Sequence, residues 1–146
     1  MPQLSVPYTM VTAGCLGVAY AGLQLRVGLH RLQSKITFGN TTTAGAEDEV
    51  LTTKARAGGN MAEYVPIGML LMLLMEAGTP LPPNLLAAYG TVFGVSRLTH
   101  AYALANAYSK DWDHGPYRKY SFVSTILSLV AAGGYVAFQG AKALRK

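Results

Sequence analysis

Four stretches of this chain are almost free of charge, and each is long enough to cross a bilayer. Residues 1–25 carry no charged side chain, Glu63 and Glu76 are the only two between Ala57 and Ser96, and Leu98–Ser109 and Tyr120–Ala141 carry none. A hydrocarbon layer is spanned by about 20 mostly apolar residues in a helix. Four segments meet that length: residues 6–29, 57–77, 83–108 and 120–141. A soluble four-helix bundle is the alternative, but its helices would show a polar face to water. Ile67–Met75 reads IGMLLMLLM and is apolar on every side, and Tyr120–Ala141 has only Ser, Thr, Tyr and Gln scattered around the helix. The expected fold class is all-α: an integral membrane four-helix bundle forming a single domain over residues 1–146.

Charged residues make up 13% of the chain, against about 25% in soluble domains, which excludes a disordered or solvating tail. The lone cysteine, Cys15, excludes an internal disulfide framework and a cysteine zinc cage. The N-terminus lacks the basic start of a cleaved signal peptide, and its apolar run is long enough to span. Thr12-Ala13-Gly14-Cys15 only faintly resembles a lipoprotein cleavage site, so Cys15 reads as a packed small residue. Gly14, Gly17, Ala21 and Gly22 in the first span, and Gly133 and Gly134 in the fourth, suit close helix packing.

The formal charge of +5 would fit a nucleic-acid binder only if the basic residues formed a soluble patch. They are instead sorted by side. Arg31, Lys35, Lys54, Lys110, Arg118 and Lys119 fall in the loops at 30–55 and 109–119, with Arg26 and Arg56 at the edge, while the opposite side holds only Lys142, Arg145 and Lys146. Basic bias places both long loops in the cytoplasm, as in an endoplasmic reticulum or bacterial inner membrane protein. A cytoplasmic loop leaves the sequon Asn40-Thr41-Thr42 unmodified. Glu47, Asp48 and Glu49 read as part of a solvated loop. Pro82 and Pro83 mark a tight connection into the third helix.

Ionisable and amide groups at membrane depth are costly and are functional candidates by default. Arg26, Arg56, Asn60, Glu63, Arg97 and His100 stand out. Arg56, Asn60 and Glu63 are spaced i, i+4, i+7 and share one helix face. Tyr64 follows at once, and Pro66 is expected to kink or loosen the helix. All of them lie toward the cytoplasmic helix ends, where Tyr117, Arg118 and Tyr120 open the fourth span. The pocket so formed is basic and rich in hydroxyl and amide groups. Cations outnumber acids there, which favours an anionic ligand, and the arginine fork fits carboxylates. Snorkelling arginines, or Glu63 neutralising Arg97, would be the purely structural account.

Arg56-Ala57-Gly58-Gly59-Asn60-Met61-Ala62-Glu63-Tyr64-Val65-Pro66 resembles the signature of the MAPEG family (membrane-associated proteins in eicosanoid and glutathione metabolism). The R-x-x-x-N-x-x-E-x-x-P pattern opens the second span, as it does in that family, and the resemblance covers the whole chain in length and topology. It implies a homotrimer with glutathione bound between subunits near the cytosolic face. It also implies a lipophilic small-molecule substrate entering from the membrane lipids. By likeness, Arg56, Asn60, Glu63 and Tyr64 contact glutathione, and Arg26 matches an arginine ending the first helix. Arg97-Leu98-Thr99-His100 resembles the third-helix stretch. One turn after His100, where the family's eicosanoid enzymes place a Tyr, this chain has Leu104; Tyr102 and Tyr108 are out of register. Arg118, in Gly115-Pro116-Tyr117-Arg118, is the candidate for the arginine that stabilises the glutathione thiolate, and so for the catalytic residue.

The expected activity is that of a glutathione transferase, with possible peroxidase activity toward lipid hydroperoxides. The alternatives are a non-catalytic lipid- or glutathione-binding scaffold of the same fold and, ranked last, a small transporter, because no continuous polar path crosses the spans. A nucleic-acid partner is not expected. No metal is expected either: Asp111, Trp112, Asp113 and His114 share one short loop with no second cluster to complete a shell. Trp112 reads as an interfacial anchor, and Met61, Met69, Met72 and Met75 as lipid-facing or packed filler.

Overall fold

The computed structural model describes residues 5–42, 44–108 and 114–145. It contains four helices: α1 (Pro7–Ser34), α2 (Glu49–Gly78), α3 (Pro83–Ala105) and α4 (Gly115–Ala143). Proline in the first turn opens α1, α3 and α4, where a missing N–H costs nothing. Asp48 caps α2, its side chain accepting from the Leu51 amide. α2 runs unbroken through Pro66.

Three of the helices, α1, α2 and α4, are long and apolar enough to cross a membrane. α3, at 23 residues, spans about 35 Å. It falls short in composition, because it carries Ser96, Arg97 and His100. All three are buried against neighbouring helices. α2 and α3 form the centre: each packs against the other three elements, whereas α1 and α4 do not touch.

Leu16, Met61, Phe93 and Ala101 build one core cluster, and Met72, Met75, Leu86 and Ala132 a second toward the opposite end. The methionines at 61, 72 and 75 are packed rather than lipid-facing. The tight approaches lie elsewhere than at Gly14, Gly17, Gly22 and Gly134, which have no neighbour within 4 Å of an added Cβ. They lie at Gly58, against Gln24, at Gly90, against Thr12 and Met72, and at Gly68, where the Phe93 ring occupies the space of a side chain. The Tyr89 hydroxyl donates to the Gly68 carbonyl at 3.1 Å and fixes that contact.

The acidic run at 47–49 does more than solvate a loop. Glu47 accepts from Asn40 and Thr52, and Asp48 accepts from His30 at 2.8 Å as well as from Leu51. Both contacts favour the carboxylate and hold Asp48 below its usual range, the Leu51 amide contributing most. Lys54 Nζ lies 3.1 Å from His30 Nδ1. An ammonium only donates, so Nδ1 accepts and Nε2–H donates to Asp48. This Lys54–His30–Asp48 chain ties the end of α1 to the start of α2. At the far end, Glu76 of α2 accepts from the amides of Tyr8 and Thr9 at 3.0 and 2.8 Å, satisfying free donors at the start of α1.

Candidate functional site

The polar groups of α2, α3 and α4 converge in the half of the bundle nearest the 35–48 loop. Arg97 is completely buried. Its Nη2 donates to Asn60 Oδ1 at 2.6 Å, its Nη1 to Thr125 Oγ1 at 3.3 Å, and its Cζ sits 4.9 Å from the Tyr64 ring centroid. Its Nε has no partner among the described residues. The one contact within 4.0 Å between a basic side chain and a carboxylate among those residues is His30–Asp48, where the neutral imidazole donates. Arg97 is therefore a buried cation held by an amide, a hydroxyl and an aromatic face, with no carboxylate bonded to it.

One turn along α3, His100 is also buried. Its Nδ1 lies 3.2 Å from both the Arg118 carbonyl and the Ser121 hydroxyl. A carbonyl only accepts, so Nδ1 carries the hydrogen and a neutral His100 keeps Nε2 as an acceptor. Ser96 donates to the Val92 carbonyl at 2.6 Å and shares a hydrogen bond of 2.8 Å with Ser124. The α3–α4 contact is thus a ladder: Ser96 with Ser124, Arg97 with Thr125, His100 with Ser121. Such interhelical bonds replace water where water is excluded.

Asn60, His100, Arg118 and Phe122, with Gly115 and Lys119, line a cavity of about 390 Å³. Phe122 lies edge-on to Tyr64, with centroids 6.3 Å apart, and 6.1 Å from the His100 ring. The fold therefore brings together five of the eight residues singled out from sequence: Asn60, Tyr64, Arg97, His100 and Arg118. Three of these, Asn60, His100 and Arg118, line the cavity, and Tyr64 and Arg97 do not. Arg97 has no surface for a ligand and contacts Asn60 and the Tyr64 ring, whereas Arg118 is exposed at the rim.

Arg26, Arg56 and Glu63 do not join that cavity. All three are exposed on the outside of the bundle. Arg56 and Glu63 belong to a stripe of exposed α2 residues that continues through Ile67, Leu70 and Leu74. Glu63 stands about 10 Å further along the helix than Arg56, within the span and exposed.

Sequence reasoning missed Ser121, Phe122 and Thr125. The signal was available for the hydroxyls. Tyr117, Ser121, Thr125 and Ser128 recur every three or four residues and make one polar face on α4, not a scatter. Phe122 had no such signal. Asp111, Trp112 and Asp113 lie outside the described residues, and His114 is the residue before α4. Among the described residues no cluster of His, Cys, Asp or Glu could hold a metal ion.

The sequence model of one protein family, the MAPEG family, matches residues 9–138, from the first turn of α1 to the last turns of α4. No curated protein matches the chain.

Proposed function

The chain belongs to the MAPEG family, and from that premise we propose that it is a membrane-bound glutathione transferase, with peroxidase activity toward lipid hydroperoxides as a second capacity. The observation that carries the reading is the imbalance of charge. Among the described residues, Arg26, Arg56 and Arg118 are exposed with no carboxylate within 4.0 Å, and Glu63 is exposed with no cation within that distance. Glutathione presents two carboxylates and one ammonium, which is the complementary set. Arginine forks suit the carboxylates and Glu63 the ammonium.

An exposed carboxylate at membrane depth cannot face acyl chains without a large penalty. We read the α2 stripe containing Arg56 and Glu63 as the surface covered by neighbouring copies in a homotrimer. Arg26 of one copy then approaches the cavity of the next. The donor set is complete only between subunits.

Bound glutathione supplies a thiol, which titrates near 8.5 in a free cysteine. Arg118, at the cavity rim, favours the thiolate electrostatically. Asn60, held at 2.6 Å by Arg97, presents its amide N–H₂ toward the cavity. His100, neutral and fixed through Nδ1, offers Nε2 as an acceptor for the thiol proton. Phe122, backed by the Tyr64 ring, forms the apolar wall against which a lipophilic electrophile would pack. In conjugation the sulfur–carbon bond forms as the leaving group departs. In peroxide reduction two thiols become a disulfide while the peroxide becomes alcohol and water.

The test uses the full chain in detergent micelles, with equilibrium dialysis of glutathione and turnover of a chloronitrobenzene and, separately, of a fatty-acid hydroperoxide. Arg56→Ala should weaken glutathione binding about tenfold or more, the loss expected of a charge-assisted pair. Arg118→Ala should keep binding and lower the ultraviolet signal of the thiolate together with turnover. Unchanged turnover in both variants would refute the assignment. Glutathione binding without turnover of either substrate would favour a non-catalytic binding protein of this fold, a reading that Leu104 one turn past His100 makes specific.

A further inference from the structure

The end of α1 carries a groove unrelated to the site above. α1 is 28 residues long, about 42 Å, and so outruns a hydrocarbon layer of about 30 Å by roughly two turns. Its outward face carries an exposed apolar stripe at Val11, Val18, Leu25, Leu29 and Leu32. From Val11 to Leu32 that stripe covers about 32 Å, the depth of the hydrocarbon. Lys35, about 4.5 Å beyond Leu32, therefore stands at headgroup level, and Arg31, beside Leu32, reaches it from the inner edge.

At that level the chain turns back on itself. Lys35 adopts the left-handed conformation, φ 57°, and ends the helix. Arg31 Nη1 donates to the Gly39 carbonyl at 2.8 Å and holds the returning segment. Ile36 is buried beneath it, packed with Val27 and Leu51. Between this segment and the helix lies a groove of about 530 Å³ lined by Leu25, Leu29, Leu32, Ile36, Arg31 and Lys35, with Gly28 and Thr37 between them. No acid lines it. Asp48, in the loop that follows, is engaged by His30 and Leu51, and Glu47 by Asn40 and Thr52.

We infer that this groove binds one anionic phospholipid, its acyl chain along Leu25, Leu29 and Leu32 and its phosphate at Lys35 and Arg31. The occupant follows from two complementarities at adjoining depths: an apolar floor within the hydrocarbon, and two cations with no carboxylate within 4.0 Å among the described residues at the level of the phosphates. Arg31 keeps donors for a phosphate, because a guanidinium has five N–H groups and the returning loop takes only those on Nη1. The fixed left-handed turn makes the groove a preformed notch. Arg26 and Gln33 are not among the residues that line the groove.

The proposal is tested by native mass spectrometry of the full chain in detergent, titrated separately with phosphatidylglycerol, phosphatidylcholine and inorganic phosphate. Phosphatidylglycerol should saturate at one lipid per chain, with phosphatidylcholine about tenfold weaker or more. Lys35→Asn removes the charge while tolerating the left-handed turn, and should weaken phosphatidylglycerol about fivefold. The double variant Lys35→Asn with Gln33→Lys restores the net charge two residues away, outside the groove, and should leave the loss uncorrected. Four results overturn the proposal: equal affinity for the two lipids, no loss in Lys35→Asn, full recovery in the double variant, or displacement of the lipid by millimolar phosphate. A cysteine at Leu29 that crosslinks to its counterpart in another copy would also overturn it, by assigning the groove to a second chain.

Discussion

Arg97 shows how a single residue can serve a site it never touches. A guanidinium is always charged, and this one is fully buried with no carboxylate bonded to it among the described residues, so its stability depends on Asn60, Thr125 and the Tyr64 ring. Removing a partner strands the charge. Asn60→Ala should therefore cost about 2–3 kcal/mol, read as a lower denaturation midpoint in detergent. Arg97→Met removes the charge along with its needs and should cost less than Asn60→Ala, while glutathione affinity falls because Asn60 and Tyr64 lose their anchor. A larger loss of stability in Arg97→Met than in Asn60→Ala would contradict this account. From sequence alone Arg97 was a ligand candidate equal to Arg56. Burial separates them, and burial depends on which face of α3 meets α2 and α4.

At the scale of the helix, ends and crossings are set by particular atoms. Asp48 is the cap of α2, and its carboxyl is held below the ordinary range by the Leu51 amide and His30. A lowered folded-state value stabilises the protein above the unfolded value near 3.9. That contribution is lost as the pH falls through the folded value. Asp48→Ala should cost about 1 kcal/mol at neutral pH, and the difference from the native chain should vanish once the pH falls well below 4. Amide exchange across residues 49–54 follows both effects. The crossing of α2 and α3 is equally local. Gly68→Ala places a methyl group where the Phe93 ring lies, so a loss of about 1–3 kcal/mol is expected. Gly134→Ala, with nothing within 4 Å, should stay within about 0.5 kcal/mol. Thermal unfolding of the two variants side by side distinguishes a packing glycine from an incidental one. Glycines look alike in sequence, because the neighbour that makes one indispensable sits on another helix.

For the whole molecule, the single chain is a complete fold and, on the proposed function, an incomplete site. Asn60, His100 and Arg118 meet within one bundle, while Arg26, Arg56 and Glu63 face outward. Light-scattering mass in detergent should therefore report three protomers. Glu63→Gln, which keeps the shape and removes the charge, should weaken glutathione about tenfold without dissociating the assembly. Dissociation to monomers with unchanged affinity would mean that the site is contained within one chain.

The order of apolar and charged residues by itself determined the architecture. Runs without charge can be solvated only by lipid or by one another, and that holds whatever the packing. The α2 motif and the basic bias of the loops were legible for the same reason, since they depend on neighbours along the chain. Helix ends were less so: α2 starts at Glu49, two turns before residue 57, because Asp48 caps it in contact with His30 of another helix. Only the tertiary structure decided which arginine is buried, that Ser121 and Thr125 belong to the polar ladder, and that Phe122 stands between Tyr64 and His100. Those outcomes rest on the rotation of each helix about its own axis. Rotation is set by contacts such as the Phe93 ring on Gly68, between residues far apart in sequence.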